Sequence, residues 1–291
     1  MSADHLVPPP SVRVFLPALA LQGYVTFYYI VDTAGPLTDF LYPEWGNVRF
    51  ALAGTWRVDM PGHYPSDPQV EVLYGPTDRC GSVSATAGRM AGFGLTPLGW
   101  QRFIGSPANA MANRVRPLDD AFGVAARALR EKLASDADDA QVIARLDRLL
   151  TALAATRGHD DPLIVAADHV LRSRPATVPG FASGVGVAPR TLHGLCLRAF
   201  GFPPKRLLRR QRFLDTLGQV RSAVGQSLET ALDLDYCDQP HFYRNFHDFM
   251  GMSPHVYFKA SRALMARAAA AQAAAGVSLS FKLPAQPAAP R

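Results

Sequence analysis

A stretch near the end of the chain, SLETALDLDYCDQPHFYRNFHDFMGMSPHVYF (Ser227–Phe258), has a counterpart about fifty residues upstream, and this repeat limits the fold more than any other feature. In the later copy Phe242, Phe246 and Phe249 recur at i, i+4 and i+7, which puts three rings on one face of a helix. His241, Tyr243, Arg244 and Asn245 alternate with them and supply basic and hydrogen-bonding groups to the other face. Gly251 suits the left-handed residue just past a helix end, and Ser253-Pro254 stops the run and starts the chain again. A short helix, a turn and a second helix of this kind form a helix-turn-helix. Taken alone, the stretch is equally well a small helical hairpin with a solvated outer face.

The upstream copy separates the two readings. Phe181-Ala182 and Gly186-Val187 match Thr230-Ala231 and Asp235-Tyr236. Leu192 then matches Phe242, Cys196 matches Phe246, Gly201 matches Gly251 and Pro204 matches Pro254. A chance hairpin does not recur with the same caps and core spacing, so the chain carries two helix-turn-helix units. PKRLLRRQRFLDTLGQV (residues 204–220) has the length and period of one long helix between them.

Around this pair the chain divides into segments. Residues 1–11 form a proline-rich lead-in. Residues 12–115 are short apolar and aromatic runs (GYVTFYYIVD, NVRFALAGTWRV, QVEVLYG, MAGFGL) broken by Gly and Pro, the texture of a mainly β domain. Trp45, Trp56, Tyr42, Phe50 and Phe93 are expected in its core. Residues 116–157 read as a helical hairpin, with Leu118, Phe122, Ala125, Leu129 and Leu133 on one apolar stripe and Ile143, Leu146, Leu150 and Leu153 on the other. Such a hairpin either packs on its neighbour or serves dimerisation. Residues 161–268 are helical in pattern, and 269–291 form an Ala/Pro-biased tail expected to lack structure, its alanines alone being able to extend the last helix. The expected class is therefore α+β and multidomain: a β-rich sensor-like domain, a helical linker and an all-α domain.

Composition adds limits. With 48% hydrophobic and 19% charged residues the chain is globular, and a net charge of +6 permits a polyanionic partner without requiring one. Cys80, Cys196 and Cys237 are far apart and odd in number, so neither a disulfide framework nor a metal-ligand spacing follows, and a reducing cytoplasm is the expected compartment. No run approaches the roughly 18 apolar residues of a membrane span, and MSADHLVPPP has no basic segment leading into an apolar one. Residues 12–115 show no metal triad, phosphate-binding loop or nucleophile elbow. His63 stands alone, and Cys80 has no general base near it in sequence. No cofactor and no catalysis are expected.

From Asp161 to Arg262 the sequence resembles the AraC/XylS family of transcription regulators. GVAPRTLHGLCLRAFGFPPKRLL resembles the family's first recognition helix and the connection after it, RRQRF the arginine-bearing part of the connecting helix, and DYCDQPHFYRNFHDFMGMSPHVYF its signature block. The resemblance implies that both units insert their second helix into successive major-groove faces of one DNA segment, about 34 Å apart, without needing a dimer. Residues 160–270 carry 14 Lys/Arg against 9 Asp/Glu. The family's base-reading positions fall on Arg190, His193 and Gly194 in the first unit and on Pro240 and Arg244 in the second, with His241 nearby. Thr191, Tyr243 and the connecting-helix arginines Arg206, Arg209, Arg210 and Arg212 are expected on phosphates or bracing the two units.

Several residues depart from the family pattern. Gly194 replaces a long polar reader, Cys196 a Phe, Thr230 a large aliphatic and Asp235 the turn glycine, and Pro179-Gly180 interrupts the helix that should support the first unit. The amino-terminal half, through LPALALQGYVTFYYIV, YPEWGNVRFALAG and the block ending in LDDAFG, resembles the β-rich domain of one subgroup, which implies effector sensing or self-association. The expected function is a DNA-binding regulator in the cytoplasm. Double-stranded DNA is its partner, with RNA polymerase, an unknown small-molecule effector and a second copy of the chain as further ones. The competing readings are an interaction protein with a degenerate helix-turn-helix pair that binds DNA weakly, and an enzyme fused to a DNA-binding module with Cys80 as nucleophile.

Overall fold

A computed structural model describes residues 8–62, 70–118, 125–222, 239–260 and 262–277, with backbone alone at 221–222 and 239–241. His63, Phe122, Thr230, Asp235 and Cys237 lie outside the described residues.

Among the described residues the amino-terminal half forms nine strands, all paired antiparallel: β1 Ser11–Phe15, β2 Val25–Thr33, β3 Leu37–Leu41, β4 Asn47–Ala53, β5 Trp56–Asp59, β6 Glu71–Tyr74, β7 Gly81–Ala85, β8 Gly88–Leu95 and β9 Val115–Pro117. They build a six-stranded sheet in the order β1-β2-β8-β4-β6-β9 and a three-stranded sheet in the order β3-β7-β5. β4 and β5 belong to different sheets, so the chain turns sharply between them at Gly54. Its φ of 72° is left-handed, and a Cβ there would sit 2.2 Å from the Ala87 carbonyl oxygen.

Alternation along β2 explains the layers. Tyr28 and Ile30 face one way and Val31 the other, and all three are buried. On the first side, Tyr28, Ile30, Val48, Phe50 and Phe93 pack against helices α1 (Pro97–Phe103), α2 (Ala125–Ser135) and α3 (Asp139–Thr156). On the second, Val31, Val72 and Met90 meet Trp56, Val58 and Val83 of the smaller sheet. The helical hairpin α2–α3 thus spends its apolar stripe inside its own chain: Leu133, Val142, Leu146 and Leu150 are buried against the six-stranded sheet. The face that the sequence leaves open for dimerisation is occupied. Asp138 caps α3 by accepting from the Gln141 N–H at 2.9 Å. One residue on, Asp139 pairs with Arg13 and Arg89, tying α3 to β1 and β8.

The carboxy-terminal half contains α4 (Pro162–Arg172), α5 (Val178–Val185), α6 (Pro189–Phe200), α7 (Pro204–Ser222), α8 (Gln239–Met250), α9 (Pro254–Lys259) and α10 (Ala263–Ala274). Two expectations need correction here. Pro179-Gly180 starts a helix and does not break one: Thr177 accepts from the Gly180 N–H at 3.1 Å, and Pro179 occupies the first turn, where its missing N–H costs nothing. The expected tail from 269 is helical to Ala274, and α10 leaves the helical half to pack on β1 and β3 of the β domain.

Candidate nucleic-acid interface

In the first unit α5 ends at Gly186, whose φ of 76° is left-handed, and Pro189 opens α6. Phe181, Leu192, Leu195, Cys196 and Phe200 form its core. Burial pushes the Cys196 thiol up to about 12, as expected of a small apolar plug. Arg190, Thr191 and His193 lie exposed on the opposite face of α6. Gly194 is half-buried, and the nearest atom to a Cβ placed there is an Arg198 Nη1 at 3.9 Å.

The second unit is described from α8 onward, and the helix and turn expected before it lie outside the described residues. Phe242, Phe246 and Phe249 are fully buried. Phe213 of α7 stacks on Phe249 with ring centres 5.0 Å apart and meets Phe246 edge-on at 5.6 Å. Tyr243, Arg244 and His247 are exposed on the outer face. Pro240 and His241 lie in the first turn of α8, with side chains outside the described set. Asn245, which the alternating pattern put among the outward groups, is buried and accepts from Arg209 at 2.7 Å.

The connecting helix α7 uses most of its arginines inside the protein. Arg206 donates to Asp78 of the β6–β7 loop at 2.5 Å and pairs with Asp248 of α8, with its guanidinium 4.1 Å from the Phe249 ring centre. Arg209 donates to Asn245 and, at 2.9 Å, to Asp248. Arg210 is buried, donating to the Thr77 carbonyl at 2.7 Å and lying over the Trp45 ring. Desolvation pulls its pKa down to about 9, so it stays charged at neutral pH. Arg212 is exposed and donates back to the Leu208 carbonyl at 3.3 Å.

Both units are docked on the β domain. The loop after β3 sends Trp45 edge-on to Phe200 of the first unit at 5.6 Å, and sends Tyr42 to a hydroxyl–hydroxyl contact with Tyr257 of the second. The Cys80 N–H donates to the Phe249 carbonyl at 2.7 Å. The Cys80 thiol is buried, and desolvation, followed by the nearby Asp39 charge, pushes it up to about 12. It is protonated at neutral pH, the opposite of an activated nucleophile. Sequence reasoning missed Asp78, Thr77 and the Glu44 carbonyl as partners of the arginines, because nothing local marks β-domain loops as the landing site of a helix 128 to 166 residues away. Among the described residues no three His, Cys, Asp or Glu side chains gather as for a metal ion, and no helix is long and apolar enough to cross a membrane.

Residues 181–260 match the family model for a helix-turn-helix domain. No curated protein matches the sequence. Among solved structures, ToxT from Vibrio cholerae in a P21 crystal form is similar over 86% of this chain and 98% of its own, at 9% identity and a TM-score of 0.45. An unsaturated fatty acid-bound ToxT from Vibrio cholerae strain SCE256 is similar over 88% and 96%, at 10% identity and 0.42. The AraC-like transcriptional activator CuxR is similar over 73% and 88%, at 14% identity and 0.27.

Proposed function

We propose, from the premise that residues 181–260 are an AraC-type helix-turn-helix domain and the chain therefore a DNA-binding regulator of transcription, that α6 and α8 enter successive major-groove faces of one duplex. The observation that carries this reading is the matched polarity of the two helices. Each buries its apolar side around the connecting region, and each turns an exposed polar face outward: Arg190, Thr191 and His193 on one, Tyr243, Arg244 and His247 on the other. Arg190 suits bidentate contact with guanine, and Arg244 suits a base or a phosphate. Arg206, Arg209 and Arg210 act as braces, since their charges are met by Asp78, Asp248 and the Thr77 carbonyl. The β domain holds both units in one relative placement through Trp45, Tyr42 and Asp78, and so acts as their regulatory platform. RNA polymerase and a second copy of the chain are partners to be tested on promoter DNA.

The test is selection of bound sites from random duplexes by the full-length protein, followed by salt titration of the best site against random competitor. Enrichment of a site with two elements one helical turn apart is expected, bound at least about a thousandfold more tightly than random DNA. Salt-sensitive binding with no preferred site would overturn it in favour of a degenerate, non-specific binder.

A further inference from the structure

In the repeat of the two units, Gly194 stands where the second unit has Arg244, and Arg198 stands where it has Asp248. The outer face of α6 thus lacks a side chain at one place and gains a cation one turn further on. The two changes meet in space. A Cβ built on Gly194 finds a single neighbour within 4 Å among the described residues, the Arg198 Nη1 at 3.9 Å. Side chains of a helix lean towards its amino terminus and cover the turn before their own Cα. Arg198 therefore carries its guanidinium back over Gly194, and any longer side chain at 194 would compete for the same place.

The position of Arg198 on the helix puts it with the outward groups. At about 100° per residue it lies about 20° round from Thr191 and about 80° from Arg190. All three are exposed, whereas Leu192, Leu195, Cys196, Ala199 and Phe200 make up the buried arc. Asp248, at the matching place in α8, is taken up by Arg206 and Arg209 of α7. Among the described residues Arg198 has no ion pair or hydrogen bond. Nor is it needed to close the end of α6, because the Gly201 N–H donates to the Leu197 carbonyl at 3.2 Å. A guanidinium in a low-lying position over a bare stretch of helix, with all its donors unspent, is matched to a planar pair of acceptors.

We propose that Arg198 is a base-reading residue of the first unit and pairs with guanine in the major groove, its guanidinium lying one turn further along α6 than an arginine at 194 would carry it. This rests on the reading of α6 as a helix that enters the groove. Two turns, about 12 Å, separate Arg198 from Arg190, so the two arginines read different base pairs. Gly194 is then the space in which a neighbouring reader lies, and not a lost contact.

Site selection from random duplexes, followed by fluorescence anisotropy on the selected site, tests this with the full chain. Arg198→Ala is expected to lower the preference for guanine at one base pair by about five- to a hundredfold. That base pair differs from the one relaxed by Arg190→Ala, and affinity for random DNA falls far less. Arg198→Gln is expected to move the preference at the same base pair from guanine towards adenine, which neither a phosphate contact nor a packing role would do. Gly194→Leu, which fills the space under the guanidinium, should relax that base pair too, whereas Gly194→Ala should leave it intact. An equal loss on all sequences in Arg198→Ala, with the salt slope reduced by about one, places the residue on a phosphate and overturns the proposal. Unchanged preference in Arg198→Ala, on a site that the wild type does select, overturns it while leaving the groove reading standing. A wild-type chain that selects no site overturns the groove reading and this proposal together.

Discussion

The guanidinium carbon of Arg210 lies 3.8 Å from the centre of the Trp45 ring, which places a buried cation of the connecting helix on an aromatic face of the β domain. The Trp45 backbone neighbour Glu44 offers its carbonyl to the same guanidinium at 3.5 Å, and Phe200 meets the Trp45 ring edge-on. One short loop therefore touches the connecting helix and the first helix-turn-helix unit at once.

Trp45 and Arg210 should respond differently to replacement. Trp45→Ala removes a nearly buried ring from the junction and should cost about 3–5 kcal/mol. Arg210→Met keeps the volume and removes the desolvated charge, so it should change stability by less than about 1 kcal/mol or raise it. Urea unfolding of both variants, followed by far-UV circular dichroism, measures the difference. A larger loss for Arg210→Met would mean that the charge, and not the packing, holds this junction.

Two glycines of the first unit should also diverge. Gly194 lies within α6, and a methyl added there would meet no atom closer than 3.9 Å, so Gly194→Ala should stabilise by about 0.5–1 kcal/mol through helix propensity. Gly201 has a φ of 84°, and a Cβ would lie 2.5 Å from Pro76 Cγ, so Gly201→Ala should destabilise by more than about 1 kcal/mol. Thermal melts of the two proteins should shift in opposite directions.

The parts of this fold that were legible in the sequence are those set by local period. Phe242, Phe246 and Phe249 are buried together because a 3.6-residue repeat leaves them no alternative, and Gly201 and Gly251 end their helices because left-handed φ favours glycine. Trp45 and Tyr42 show the limit of that reasoning. Both are buried, as their size suggested, but in the cores of the two helix-turn-helix units and not in the β domain with Trp56, Phe50 and Phe93. Burial follows from composition, whereas the partner depends on long-range docking. Asn245 faced the same difficulty: its polarity placed it outward, and Arg209 from another helix drew it in. The sequence left the arginines of α7 open between phosphate contact and bracing, because the acids that meet them, Asp78 and Asp248, lie far away in sequence.

Arg190 and Arg206 should separate base reading from bracing. Arg190 is exposed on α6, so Arg190→Ala should cost about 1–3 kcal/mol of discrimination at one or two base pairs while leaving binding to random DNA nearly unchanged. Arg206 is held by Asp78 and Asp248, so Arg206→Ala should lower thermal stability and leave the slope of log affinity against log salt within about one unit of wild type. Fluorescence anisotropy at several salt concentrations reads both quantities. A clear fall in slope for Arg206→Ala would place that residue on a phosphate when DNA is bound.

Asp39 should control the attachment of α10. Its carboxylate is buried on β3 and accepts from the Phe40 N–H at 2.6 Å and the Met265 N–H at 2.9 Å, so it caps α10 from across the fold. The helix's own preceding residue, Arg262, makes no side-chain cap. Asp39→Ala should therefore cost about 1–2 kcal/mol and should speed amide exchange in 263–274 while the exchange of β2 and β8 changes little. Burial raises the Asp39 carboxyl above its ordinary value, with the backbone donors pulling the other way. A raised folded pKa means that the native state holds this proton more tightly than the unfolded chain. Its contribution is present in full below the unfolded value of about 4 and is lost as pH rises through the folded one. Asp39→Asn removes that titration and keeps an acceptor for the backbone. The stability difference between wild type and Asp39→Asn should thus shrink as pH is raised from about 4 towards neutrality, and a difference that grows instead would show that the charged carboxylate, and not merely an oxygen, holds the helix.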